Sequence, residues 1–274
     1  MNEIFNFKRF GKYFLHDLKT CRDRYWISLL VCAGMPFICF AVYQMLSLLI
    51  TGVFAKDSCA VQIASMCVAF FIVVLTFPVK TYGLITDRKA GPDWVLLPAS
   101  ALEKTLSMLI MSCVVLPLCF FSLMLGLDAL MGVVFPSNWP EPVMASISTL
   151  MSRITEGSDG ILSVNLPALA CYSWCSGILV LVLGCIFFKK AKIAKTILVM
   201  FVVGNVFGTL MSFVLLGSPT LAQIFNGGSD SLFEDPAYLI GFFRNFNAFI
   251  TVYVWAYLAT VIALIYIRVK TIKH

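Results

Sequence analysis

Six stretches of this chain contain no lysine, arginine, aspartate or glutamate: Trp26 to Leu49, Val61 to Val79, Thr105 to Leu127, Leu166 to Phe188, Thr196 to Leu216 and Ala248 to Ile267. Each is long enough to cross roughly 30 Å of hydrocarbon as a helix, which takes about 20 mostly apolar residues. Lipid offers no partner to a backbone N–H or C=O, so a single apolar stretch can span it only as a helix. The expected fold class is therefore an all-α integral membrane protein with six transmembrane helices. Composition agrees: 60% of the 274 residues are hydrophobic and 12% charged, and the mean hydropathy is +0.93, well beyond the balance of a soluble domain.

Lysine and arginine are held back on the cytoplasmic side during insertion, so their distribution orients the spans. Seventeen of the 20 lie in four alternate segments: Lys8, Arg9, Lys12, Lys19, Arg22 and Arg24 before the first span; Lys80, Arg88, Lys89 and Lys104; Lys189, Lys190, Lys192 and Lys195; and Arg268, Lys270 and Lys273 in the tail. Lys56, Arg153 and Arg244 fall in the other links. The basic side carries six acids and a net charge of +11, the other side eight acids and a net charge of −5, which together give the formal +6. Both termini are expected in the cytoplasm. Topology accounts for the positive charge, and no nucleic-acid partner is implied. The first 25 residues have neither a continuous apolar core nor a small-residue cleavage site, so the first span is expected to persist in the mature protein.

Two units follow. Residues 1–25 read as a cytoplasmic amphipathic interfacial helix, because Phe7, Phe10, Phe14, Leu18 and Cys21 recur at steps of three and four while Lys8, Lys12, Lys19 and Arg22 point elsewhere. Residues 26–274 read as the six-helix domain. Its link at 80–104 stands out among the connections. The second helix is expected to run on through Tyr82 and break at Gly91-Pro92. Ser100-Ala-Leu-Glu103 has the form of a capping box, which starts the third helix near Ala101, still outside the membrane. Between break and cap lies Asp93-Trp94-Val-Leu-Leu97, an apolar stretch suited to docking.

Of the other side's links, 128–165 carries Met144, Ile147, Met151 and Ile154 at the spacing of a short amphipathic helix. Residues 217–247 carry two helix starts, Ser218-Pro219 and Asp235-Pro236. They predict short helices over Leu221 to Phe225 and Ala237 to Phe243, re-entrant or interfacial, before the last span. Pro36 and Pro117 are expected to kink the first and third spans. In the fifth, Gly204, Asn205 and Gly208 form a GxxxG pattern with a polar residue inside it; packing within the chain, a subunit interface and a substrate path all fit.

The chemistry legible here is sparse. The histidines are His16 and His274, at the ends of the chain, so an intramembrane metalloprotease has no ligands. Cys171 and Cys175 share a helix face, but most of the ten cysteines lie within spans and read as small apolar fillers. No Walker-type glycine loop occurs, and the spans lack the ionisable groups that mark ion-coupled carriers. No catalytic, cofactor or metal site is expected, and any energy must come from another protein.

The order of an amphipathic N-terminal helix, two spans, a charged link, four more spans and short helices before the last resembles an ABC type-2 transporter permease. "LLPASALEKTL", residues 96 to 106, is similar to a segment of small bacterial permeases of this kind. The resemblance implies a permease subunit in the bacterial inner membrane that pairs with a second permease copy, as a homo- or heterodimer, and with separate ABC ATPase subunits that bind ATP and Mg. It implies ATPase coupling at Asp87, Arg88, Lys89, Asp93, Trp94, Ser100, Glu103 and Lys104, together with the interfacial helix of Phe7, Phe10, Phe14 and Leu18. Export of a hydrophobic or amphipathic substrate is the function expected. The alternative is a membrane scaffold or sensor that holds a cytoplasmic partner without transport.

Overall fold

The computed structural model describes residues 5–53, 59–86, 91–134, 166–216 and 236–272, all their regular structure is helical, and among them no strand occurs. In chain order the elements are α1 (Phe7–Thr51), α2 (Cys59–Thr81), a 3-10 turn (Gly83–Thr86), α3 (Gly91–Leu96), α4 (Ala101–Ile110), a π turn (Met111–Val115), α5 (Leu116–Val134), α6 (Leu166–Phe187), α7 (Lys192–Leu216) and α8 (Pro236–Thr271). Among the described residues five helices are long and apolar enough to cross a membrane, and Cys171–Phe187 of α6 is a shorter apolar helix. The chain is an all-α protein of multi-pass membrane type.

α1 is a single rod of 45 residues, about 68 Å at 1.5 Å per residue. Asn6 caps its start by accepting the Lys8 N–H, and Gly52, at φ 70°, closes its end with an N–H to Leu48 O. The boundary expected between residues 25 and 26 is not marked by any break. A buried stripe crosses it instead: Tyr13, Cys21, Tyr25, Leu29, Ala33, Pro36 and Phe40 recur at steps of about four and face the bundle throughout. Against α2, Tyr25 shares a hydrogen bond with Thr76 Oγ1 at 2.8 Å and donates to Val73 O at 3.3 Å, and its ring meets Phe77 edge-on. Pro36 lies within this unbroken helix, as Pro78 does within α2.

The rod from Ala101 to Val134 is interrupted by the π turn, and its cause is local. Pro117 has no N–H to return to the carbonyl four residues earlier. Leu116 N–H reaches back to Met111 O, five residues away. In that register the partner of Ser112 O would be Pro117 itself, so the carbonyl accepts from Trp174 Nε1 of α6 at 3.1 Å instead. The disruption expected of Pro117 thus takes the form of a π turn satisfied by a neighbouring helix.

α6 supplies the centre of the core, with Ile178, Val182 and Ile186 fully buried beside Val73, Ala69 and Phe120. α6 and α7 cross closely at Gly184, where a methyl group in place of the glycine hydrogen would lie 1.9 Å from Thr196 Oγ1. α8 closes the bundle with Val261, Ile265 and Val269, again at steps of four.

Three further expectations are corrected by the backbone. Gly91-Pro92 begins α3 rather than breaking a helix, because proline in a first turn has no N–H to lose to the ladder. α7 starts at Lys192, four residues before the apolar run. Asp235, the expected cap, lies outside the described residues; from Pro236 the helix runs unbroken to Thr271, and no short helix over Ala237 to Phe243 stands apart from the last span. Residues 135–165 and 217–235 lie outside the described residues, and with them the expected helices at Met144 to Ile154 and at Leu221 to Phe225.

Candidate functional site

The densest polar structure lies at the basic end, where the start of α1, the link and the start of α4 converge on Glu103. The capping box is present in both directions: Glu103 N–H donates to Ser100 Oγ, and Glu103 Oε2 accepts from Ser100 N at 2.9 Å. The same carboxylate accepts from Asn6 N at 3.0 Å and from Arg9, whose Nε lies 2.8 Å from Oε2 and whose Nη2 lies 2.8 Å from Oε1. Glu103 is 0% exposed. Burial pushes its carboxyl up, but the hydrogen bonds from Arg9, Asn6 and Ser100 outweigh that and bring it from 4.5 to about 2. One side chain therefore starts α4 and fastens the N-terminal end of α1 to it.

A second tie runs beside it. Trp94 of α3 donates its Nε1–H to Tyr13 OH at 3.2 Å, while Lys104 donates to Trp94 O at 2.9 Å with its ammonium 4.5 Å from the ring centroid. Asp17 accepts from Ser107 Oγ of α4 at 2.6 Å and from Tyr82 OH at 3.4 Å. Burial raises the Asp17 carboxyl, opposed by those two hydrogen bonds. A third set joins the link to the later helices, Lys192 donating to Gly83 O and Thr86 Oγ1 to Cys185 O at 3.3 Å, while Arg268 Nε of α8 donates to Ile186 O of α6 at 3.4 Å.

Mechanically, these bonds make the link an integral part of the bundle.

Several sequence-selected residues fall inside this cluster in roles turned inward. Glu103 and Lys104 are both buried, so neither presents its charge to a soluble partner. Asp87, Arg88 and Lys89 lie outside the described residues, and Asp93 is described only as backbone within α3. Phe7 is 81% exposed; Phe10 and Phe14 stack on each other at 6.0 Å, and Phe14 and Leu18 pack on the protein core. The apolar face of the first helix is thus partly covered by protein.

Gly204, Asn205 and Gly208 are exposed. Among the described residues nothing approaches within 4 Å of a methyl group placed at either glycine, and Asn205 Nδ2 donates to Phe201 O of its own helix at 2.7 Å. The close helix approach falls on Gly184, with Gly177 seven residues earlier against Val74. A small residue every seven was the available sign, and no GxxxG spacing marks it.

The sequence also hides a polar pair at the opposite end. Asp128 follows the third apolar run directly and reads as loop, yet α5 continues to Val134 and buries it. There Asp128 Oδ1 accepts from Gln62 Nε2 of α2 at 2.8 Å. Nothing in the local sequence distinguishes this aspartate from its exposed counterparts.

No family model, no curated protein and no solved structure matches the chain.

Proposed function

We propose that this chain is the membrane-spanning subunit of an ATP-driven transporter of the ABC type-2 kind, with six spans and both termini in the cytoplasm of a bacterial inner membrane. Hydrolysis belongs to separate ATPase subunits that dock on the basic side. A second permease copy completes the path, and the open face of α7 at Gly204 and Gly208 suits close approach of another helix. The substrate class that fits such apolar spans is hydrophobic or amphipathic.

The observation that carries this reading is the clamp at Glu103. A transporter driven from outside its own chain needs a segment that receives a push and delivers it to a span. Here the N-terminal end of α1 and the link are both bonded to the first turn of α4. On this reading the charges that meet a partner belong to Arg88 and Lys89 of the link, by their sequence alone, and to the polar face of α1, while Glu103 and Lys104 hold α1 and α3 against α4.

The test is purification of the tagged chain in mild detergent, which should recover a nucleotide-binding subunit. Arg88→Glu with Lys89→Glu should keep abundance nearly unchanged, because basic residues remain elsewhere on that side, while lowering both recovery of the partner and its substrate-stimulated ATP hydrolysis. A folded chain that repeatedly purifies alone, or a charge reversal with wild-type recovery and hydrolysis, overturns the reading. Partner recovery without any solute movement in proteoliposomes would favour the scaffold.

A further inference from the structure

Beside the clamp, and not used by it, lies a cavity of about 470 Å³. It is lined by Val79 at the end of α2, Gly83 and Leu84 of the 3-10 turn, Lys189 and Ala191 of the turn before α7, and Lys192, Ile193 and Ala194 in the first turn of α7; Lys192 donates to Gly83 O. The turn between α6 and α7 bends sharply at Ala191, whose φ is 51°, and it brings a cluster of charge to this place. Four lysines fall between 189 and 195, and no acid occurs anywhere between Asp159 and Asp230. Lys189, Lys190 and Lys195 are exposed. Arg268 reaches the same helix end from α8, its guanidinium 5.4 Å from the Phe187 ring centroid.

The apolar wall does not stop at the cavity. Ile197 and Phe201 continue from Ile193 at steps of four and are 48% and 69% exposed, within a strip of α7 that is apolar and exposed from Ile197 to Val203. A soluble anion would use the lysines and leave the strip bare. A zwitterionic lipid would use the strip and gain little from an excess of like charge. A ligand with a phosphate at one end and an acyl chain at the other uses both, and basic pockets between spanning helices suit anionic headgroups.

We propose that this cavity is a binding site for an anionic phospholipid, its phosphate met by Lys189 of the lining, with Lys190 and Lys195, exposed next to the same turn, adding positive charge, and one acyl chain laid along Ile193, Ile197 and Phe201. Because the link forms one wall through Gly83 and Leu84, an occupied site braces the link against α7. The proposal depends on membrane insertion alone and not on the transporter reading.

The test is native mass spectrometry of the full chain, released from detergent with phosphatidylglycerol, phosphatidylcholine or inorganic phosphate at equal concentration. Wild type should retain phosphatidylglycerol over phosphatidylcholine by at least about tenfold. Lys189→Gln with Lys190→Gln and Lys195→Gln should erase that preference, and these exposed side chains can change without unfolding the bundle. Lys8→Gln with Lys12→Gln and Lys19→Gln, the same charge loss on α1, should keep it. Equal retention of the two lipids by wild type, an undiminished preference in the 189/190/195 variant, or equal loss in the α1 variant overturns the site. Displacement of phosphatidylglycerol by an equal concentration of inorganic phosphate would show an anion site with no use for the acyl chain, and would overturn it too.

Discussion

At the scale of single residues, Glu103 performs two tasks that are usually divided between side chains, and the two can be separated experimentally. Ser100→Ala removes one half of the capping box while leaving the carboxylate bonded to Arg9 and Asn6. We predict a loss of about 1 kcal/mol, the usual value of an N-cap, read as a small drop in melting temperature with the N-terminal end of α1 still protected from proteolysis. Glu103→Gln gives up the charge-assisted bonds to Arg9 and should expose that end to protease. Acid should mimic it. A carboxyl lowered from 4.5 to about 2 contributes its full stabilisation above its ordinary value, and that contribution is lost as pH falls through the folded value. Protection of the α1 end should therefore decline from about pH 4.5 toward about pH 2 in wild type, and Glu103→Gln should lack this component across that window. Identical pH profiles for the two proteins would remove Glu103 as the fastener.

Helices meet at contacts that a sequence pattern ranks poorly. GxxxG in α7 promises close packing, yet among the described residues nothing lies against its glycines, while Gly184 of α6 sits where an added methyl group would strike the Thr196 side chain at 1.9 Å. Thr196 is buried and has little room to yield. We predict that Gly184→Ala costs about 1 to 3 kcal/mol, the range for overpacking a filled interior, measured as a fall in melting temperature in detergent. Gly204→Leu should leave that temperature nearly unchanged and act only on association between copies, measured by crosslinking. A larger loss of melting temperature from Gly204→Leu than from Gly184→Ala would show that the α6–α7 contact is looser than described. The same helices explain how Pro117 is tolerated: the π turn shifts the carbonyl deficit to Ser112, and Trp174 of α6 fills it.

The whole molecule has a basic end tied by hydrogen bonds and an opposite end where Gln62 and Asp128 meet. The orientation expected from the division of basic residues, seventeen against three, puts the basic end in the cytoplasm. We predict that a cysteine at Ser158 reacts with an impermeant reagent in intact cells, whereas one at Lys190 reacts only after permeabilisation. Labelling of Lys190→Cys in intact cells would invert the expected map and, with it, the side proposed for ATPase docking.

Some of this was decided by the sequence alone. Uncharged runs long enough for the membrane dictate helices, because lipid leaves the backbone no other partner, and a capping box is a local arrangement of four residues that needs nothing distant to form. Ser100 and Glu103 could therefore be read directly. What Glu103 holds could not, since Asn6 and Arg9 are more than 90 residues away and only the packing of α1 on α4 brings them near. The inward turn of Lys104, the burial of Asp128 and the choice of Gly184 over Gly204 have the same origin. Local sequence sets which backbone groups and which face of a helix need a partner; the tertiary structure decides which residue supplies it.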